Sequence, residues 1–252
     1  QRQRPWRRRA VAAGAIAAAC AAAAWRWGPL ALRNLPGTSV TRVEVVGTLY
    51  VAPDAVLDAA GIRPGRSVFD DFRDAEGRVA LHPLVRSVRI RPRGWRTLRI
   101  EVEEYAPVAL VGVPHLVPVM ADGTILPLDP TRTRVDLPVV TVPAEADGDR
   151  LRPGPALELL RAYARIPQQD PGLAALVAEI RPAPGGGLAL GLLDAERATE
   201  IWLPPEPDEA VLRRVRATLA DLQRRRWTAR RLEARYANLV VVERTATSTA
   251  SG

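Results

Sequence analysis

Two stretches of alternating side-chain character, joined by a turn, constrain this chain more than any other feature. In Ser87-Val88-Arg89-Ile90-Arg91, Val88 and Ile90 point one way and Arg89 and Arg91 the other. Pro92-Arg93-Gly94-Trp95 reads as a turn. In Thr97-Leu98-Arg99-Ile100-Glu101-Val102-Glu103 the alternation is complete. Successive strand residues face opposite sides of a sheet, so the pattern predicts a β-hairpin with one core face and one wet face. The wet face carries Arg89, Arg91 and Arg99 near Glu101 and Glu103. Each opposite-charge pair across such strands contributes about 0.2–1 kcal/mol.

The flanking residues complete a small unit. Residues 40–46 alternate well enough for a strand, ended by Gly47. Pro53-Asp54 opens a helix with Val56, Leu57 and Ala60 on one face and Gly61 as its stop. Asp70 or Asp71 is placed to cap a second helix, whose apolar stripe is Phe72, Ala75 and Val79 and which Pro83 closes. The expected order over residues 40–104 is β-α-α-β-β.

From residue 105 the texture changes. Short apolar runs at 108–113, 116–120, 124–128 and 139–142 are separated by turn signals such as Asp122-Gly123. A helix is expected over 155–166 and a strand over 176–181. A hairpin is expected from 188–193 and 199–203. Asp208 caps a helix reaching about Arg226, with Val211, Leu212, Val215, Leu219 and Leu222 at helical spacing. Segments 230–236 and 239–243 finish as strands. Residues 105–244 therefore predict a mostly antiparallel β-domain with two helices, and 245–252 a disordered polar tail. The fold class expected for the whole is α+β, behind an N-terminal transmembrane helix.

That helix is inferred from the charge distribution. The chain of 252 residues carries a net charge of +8. Six Arg and no acid fall within residues 1–27, leaving 30 Arg against 28 acids elsewhere. A nucleic-acid-binding domain concentrates basic charge on its folded part, so no nucleic-acid partner is expected. Arg7-Arg8-Arg9 leads straight into residues 10–24, which hold no charge, followed by Trp25, Arg26 and Trp27. Three readings compete: a single-pass anchor, a cleaved secretory signal and a buried Ala-rich helix. In the anchor reading, residues 1–9 are a basic cytoplasmic tail, 10–32 cross the bilayer and 33–39 are a linker. Everything beyond then lies outside the cytoplasm.

Composition leaves little chemistry. All basic residues are Arg, which removes Lys-based Schiff-base and phosphate-loop mechanisms. One Cys cannot form an internal disulfide, and with two His it leaves too few ligands for a structural zinc site. No Gly-x-Ser-x-Gly or His-Glu-x-x-His pattern occurs, and neither His82 nor His115 has a nucleophile placed to use it. The carboxylates Glu101, Glu103 and Glu104 read as a salt-bridged solvent face. The run Arg224-Arg225-Arg226, with Arg230 and Arg231, reads as charge at a helix C-terminus, with nucleic acid or anionic lipid as the alternative contact. No catalytic residue, cofactor, metal or small-molecule substrate is expected.

In order and spacing the chain resembles the FtsQ/DivIB family of bacterial cell-division proteins. The small unit resembles that family's POTRA module through residues 40–46, the Gly61…Gly65-Arg66-Ser67-Val68 stretch and the strand entry at 84–90. The exit Ile100-Glu101-Val102-Glu103-Glu104-Tyr105-Ala106-Pro107-Val108-Ala109 resembles the family passage I-x-V-x-E-x-x-P-x-A. Asp122-Gly123, Leu137-Pro138 and Leu232-Glu233-Ala234-Arg235-Tyr236 resemble further family positions, with Glu233 standing where Asp is usual. The resemblance implies a non-enzymatic divisome scaffold at the division septum, anchored in the plasma (cell inner) membrane. It implies protein partners of the FtsB/FtsL type, which add a strand to the terminal sheet edge. By position, the partner-binding residues would be Arg235, Tyr236, Asn238, Leu239, Val240, Val241 and Val242. Two other readings stay open on residues alone: an exported cell-wall enzyme, and a POTRA-type secretion or chaperone component.

Overall fold

The computed structural model describes residues 37–130, 133, 135–193 and 198–244. The expected basic tail, the span at 10–32, most of the linker and the polar tail lie outside the described residues. Among the described residues no helix is long and apolar enough to cross a membrane. The chain divides into two compact units between Glu104 and Tyr105.

The first unit contains β1 (Arg42–Val46), α1 (Pro53–Ala60), α2 (Arg73–Ala80), β2 (Val85–Pro92) and β3 (Thr97–Glu104). The hairpin forms as the alternation requires, with Ile90 opposite Ile100 and Val88 opposite Val102. β1 joins on the far side of β3, in parallel, giving the order β1-β3-β2. Leu98, Ile100 and Val102 of the central strand are buried with Val56, Ala60, Ala75 and Val79 of the helices. α1 stops at Gly61, in the left-handed region at φ 55°. Its last carbonyls, at Ala59 and Ala60, accept bonds from the Arg78 guanidinium of α2, so a cation serves the negative end of the helix.

Three local expectations are corrected here. α2 begins after Phe72, so neither Asp70 nor Asp71 is its cap residue. The Asp71 carboxylate still accepts the Arg73 N–H at 3.0 Å, while Asp70 accepts from the Ser67 N–H and from Arg66. On the wet face Arg99 pairs with Glu44 of β1 at 3.4 Å rather than with a hairpin acid. Alternation shows which face a residue is on, and only the sheet order shows which strand lies beside it. Glu104, finally, is not a solvent-face charge. Its carboxylate accepts the backbone N–H groups of Leu49, Tyr50 and Val51 at 3.0, 2.8 and 3.0 Å. One side chain at the end of the central strand thus satisfies three donors of the loop leading into α1. Burial, and then the Glu104 charge, raise the pKa of the Tyr50 phenol.

The second unit contains β4 (Ala109–Val113), β5 (His115–Val119), β6 (Val139–Val140), β7 (Ala146–Asp147) and β8 (Arg150–Leu151). α3 (Pro155–Tyr163), α4 (Ile166–Gln169), α5 (Pro171–Ala174), β9 (Val177–Pro182), β10 (Leu188–Leu192) and β11 (Ala198–Leu203) follow. α6 (Glu209–Arg225), β12 (Ala229–Glu233) and β13 (Val241–Arg244) complete it. The main sheet has eight strands in the order β13-β12-β11-β10-β9-β6-β4-β5, with β7 and β8 as a separate ladder. The sheet is mixed: β4/β6, β6/β9 and β11/β12 pair in parallel, the others antiparallel. Parallel neighbours need a crossover connection, and the helices supply it between β6 and β9 and between β11 and β12. Antiparallel pairs are the majority, as expected, and the three parallel ones are new, because sequence periodicity carries no information on strand direction.

The two expected helices are present, and two short ones accompany them. The first ends at Tyr163 rather than 166, because Pro167 and Pro171 each restart the chain in a new helical turn. The buried Asp170 between them accepts the Leu173 N–H at 3.0 Å. Leu159, Leu160, Tyr163, Val211, Leu212, Val215 and Leu222 pack with Ile180, Leu188, Leu190, Ile201, Leu203 and Leu232 of the sheet. Burial pushes the Tyr163 phenol up to about 12, so it stays neutral throughout the physiological range. At the Asp122-Gly123 turn, Gly123 adopts φ 90° and the Asp122 carboxylate accepts from the Thr124 N–H and hydroxyl, each at 3.0 Å.

α6 is capped at both ends. The Asp208 carboxylate accepts the Val211 N–H at 2.7 Å. At the other end the Trp227 N–H reaches the Leu222 carbonyl at 3.0 Å, and Arg226 N–H reaches Gln223, closing a Schellman turn. Its left-handed residue is Arg226, at φ 54°, where glycine is the usual choice. Arg226→Gly is therefore expected to raise the unfolding free energy by about 1 kcal/mol, measured by denaturant titration. Gly47 is the converse case: φ is 87°, and a Cβ would run into the Val102 carbonyl oxygen. Gly47→Ala is expected to cost about 2–3 kcal/mol in the same measurement.

Candidate functional site

The eight-stranded sheet ends at β5 on one side and β13 on the other. A strand edge exposes unpaired N–H and C=O groups and is adhesive unless something covers it. The Pro118–Val119 end of the β5 edge is covered. Pro118 removes one donor, the Pro118 carbonyl accepts the Leu126 N–H at 2.9 Å, and Val119 bridges to Ile125. Among the described residues β13 has β12 on one side and no strand on the other. Its register pairs Leu232 with Val242 and Glu233 with Val241.

Side chains of β13 and of the segment leading into it divide by burial. Val240 and Val242 are half-buried and pack on the core beneath. Tyr236, Leu239 and Val241 are 50%, 52% and 45% exposed, and Asn238 is exposed with them. Three large apolar side chains in one short terminal segment, beside an open backbone edge, form a surface suited to another chain.

Arg235 behaves differently from its neighbours. Its guanidinium donates to Glu233 and to the carbonyls of Pro184 and Gly186, and lies 4.8 Å from the Trp202 ring centre. Arg231 stacks on the same ring at 3.9 Å and pairs with Glu243 of β13 at 2.6 Å. Arg235 thus pulls the chain out of β12 and ties it to the 183–187 turn. This is why β12 stops at Glu233, short of the 230–236 strand expected from sequence, and why β13 starts at 241 rather than 239. Glu233 is the acceptor in that clamp, whose short Glu–Arg spacing spans one bend of the chain. A tryptophan at 202, one residue before the end of β11, is the sequence signal for it.

Polar contacts continue across the wet face of the sheet. Arg181 reaches Glu179 at 3.3 Å and Glu200 at 3.0 Å, and the Thr141 hydroxyl donates to Glu179 at 2.9 Å. Exposed pairs of this kind contribute at most about 1 kcal/mol each, and the row as a whole keeps the sheet face soluble. Arg224 and Arg225 pair with Asp221 in the last turns of α6, in keeping with charge at a helix end. His82 accepts the Leu84 N–H through Nδ1, a structural role. Among the described residues no cluster of His, Cys, Asp and Glu is arranged to hold a metal.

Arg235→Ala is expected to lower the unfolding temperature by several degrees, because it strips a clamp of charge-assisted bonds. Tyr236→Ala should leave it within about one degree, since surface substitutions typically change stability by under 0.5 kcal/mol. Thermal melts of the two variants check the contrast.

A family model described as "POTRA domain, FtsQ-type" matches residues 38–105. The chain is also similar to a curated protein named "Cell division protein FtsQ" from Rhodothermus marinus (strain ATCC 43812 / DSM 4252 / R-10). The two are 31% identical over 246 residues, covering 93% of this chain and 85% of that protein.

Proposed function

Since this chain belongs to the FtsQ family of cell-division proteins, we propose that it is a membrane-anchored scaffold that holds divisome partners through the open edge of its terminal sheet. It is a component of the division machinery and not an enzyme. The α+β chain carries a POTRA domain, followed by a mostly β region. Beyond that, the partner we propose is of the FtsB/FtsL type, and it docks by adding a strand to β13. The observation that carries the reading is the contrast between the two ends of the eight-stranded sheet. Residues 124–126 return along the Pro118–Val119 end of β5, whereas among the described residues β13 has no strand on its outer side and is flanked by exposed Tyr236, Leu239 and Val241.

The docking surface comprises Tyr236, Asn238, Leu239 and Val241, with Val240 and Val242 holding the strand on the core and Arg235 setting where it begins. Tyr236 is a rigid aromatic anchor of the kind that dominates interface energetics. Backbone pairing along β13 supplies affinity, and the alternate side chains supply selectivity. In the same proposal, residues 10–32 anchor the chain in the plasma membrane with residues 1–9 in the cytoplasm. The POTRA-like domain (40–104) and the β-domain (105–244) then stand outside the cytoplasm at the septum. The Arg cluster directly ahead of an uncharged Ala-rich run supports this orientation.

The experiment is calorimetric titration of the full chain with the extracytoplasmic segment of the FtsB-type protein from the same organism. Val241→Lys places a solvated cation on the edge, a device that proteins use to block strand addition. It is expected to weaken binding at least tenfold, as is Tyr236→Ala, in line with a loss of ~1.4 kcal/mol or more at a hot spot. Unchanged affinity in both variants, with unfolding temperatures like the parent's, would dismiss the β13 site.

A further inference from the structure

The small sheet also has an outer edge on the hairpin side, formed by β2. In an antiparallel pair, successive residues direct their N–H groups alternately toward the neighbour and away from it. Ile90 directs its N–H away from β3, because that N–H donates to Oε1 of Glu76 on α2 at 2.7 Å. The two-residue period places the N–H of Val88 on the same outer side, and position 92 is proline, which has no N–H. The outward donors of this stretch are therefore one plugged by a side chain and one deleted by residue type, leaving Val88.

From this we infer that Glu76 is an edge guard. Its carboxylate stands where the backbone carbonyl of an added strand would stand, and it closes β2 to pairing with a second copy of this chain. Two features make such a guard necessary. β2 is eight residues long, and its outer edge lies beside a groove whose apolar part is Phe69, Phe72, Ile90 and Pro92 and whose polar part includes Asp70, Arg73 and Glu76 itself. A long edge beside apolar surface is the usual site of edge-to-edge association. Two β2 edges meeting antiparallel about Ile90 would bury both grooves and satisfy both Ile90 donors, so a second copy is the occupant the guard excludes. A helix delivers the guard because α2 packs against β2, and Glu76 follows the buried Ala75 by one residue, at the margin of the helix that overhangs the edge.

The test has two arms on the full chain in detergent micelles. Amide hydrogen exchange on the unaltered protein comes first. The Ile90 amide is expected to exchange at least about tenfold more slowly than that of Val88, the weight of one hydrogen bond to a charged acceptor. Equal rates for the two amides would overturn the inference before any variant is made. In the second arm Glu76→Ala removes the acceptor and Glu76→Gln keeps an Oε1 in place. Sedimentation should show Glu76→Ala self-associating, Glu76→Gln remaining like the parent, and Glu76→Ala with Val88→Pro returning to the parent state. A folded Glu76→Ala variant that sediments like the parent, or association that survives Val88→Pro, would overturn it equally.

Discussion

Strand edges in this molecule obey one constraint: a backbone N–H or C=O at a sheet margin must find a partner or face water. Three of the margins meet it in three ways. β5 folds its own continuation back, so that Leu126 bonds the Pro118 carbonyl. β2 uses a proline at 92 and the carboxylate of Glu76. Among the described residues β13 has no strand on its outer side, and its neighbouring surface is apolar. An edge with no strand beside it is a place where another chain can pair. The proposed docking mode follows from that difference more than from any single residue on β13.

Carboxylates do much of the closing. Glu104 gathers three loop N–H groups, Glu76 plugs one strand N–H, Asp170 and Asp208 cap helical turns, and Asp122 holds a tight turn. Arginine does the matching work on carbonyls: Arg78 on the end of α1, Arg235 on the 184–186 turn. With no lysine in the chain, every cation is a planar fork that can serve two acceptors at once. Arg235 shows the consequence. A residue that resemblance assigns to the partner surface spends its donors on Glu233, Pro184 and Gly186, and thereby fixes where β13 begins.

Much of this was legible in advance, for identifiable reasons. The hairpin of β2 and β3 followed from alternation, because a buried face allows only one register parity. α1 followed from Pro53 and Gly61, and α6 from Asp208 and its apolar stripe, since these residues have narrow backbone preferences. Glu104 was misread because a carboxylate at a strand end looks the same whether it faces water or a loop. Its partners, residues 49–51, lie more than fifty positions earlier in the chain. Strand direction in the second unit was hidden for a related reason: parallel and antiparallel neighbours carry the same alternation. Around β13, the apolar run from Leu239 to Val242 was visible, but which of its members were core and which were exposed was not.

By itself, then, the amino-acid sequence determined the element order of the small unit, the faces of its hairpin, both ends of α6 and the poverty of catalytic groups. These depend on contacts between residues close in the chain or on residue types that are present or absent outright. Only the tertiary structure decided that β1 pairs in parallel on the far side of β3 and that Glu76 reaches the edge of β2. It also decided that Arg235 turns inward and that β13 lies last in its sheet. Each of those is a meeting of groups far apart in sequence, selected by how whole elements pack, and a local pattern holds no record of which distant edge will come alongside.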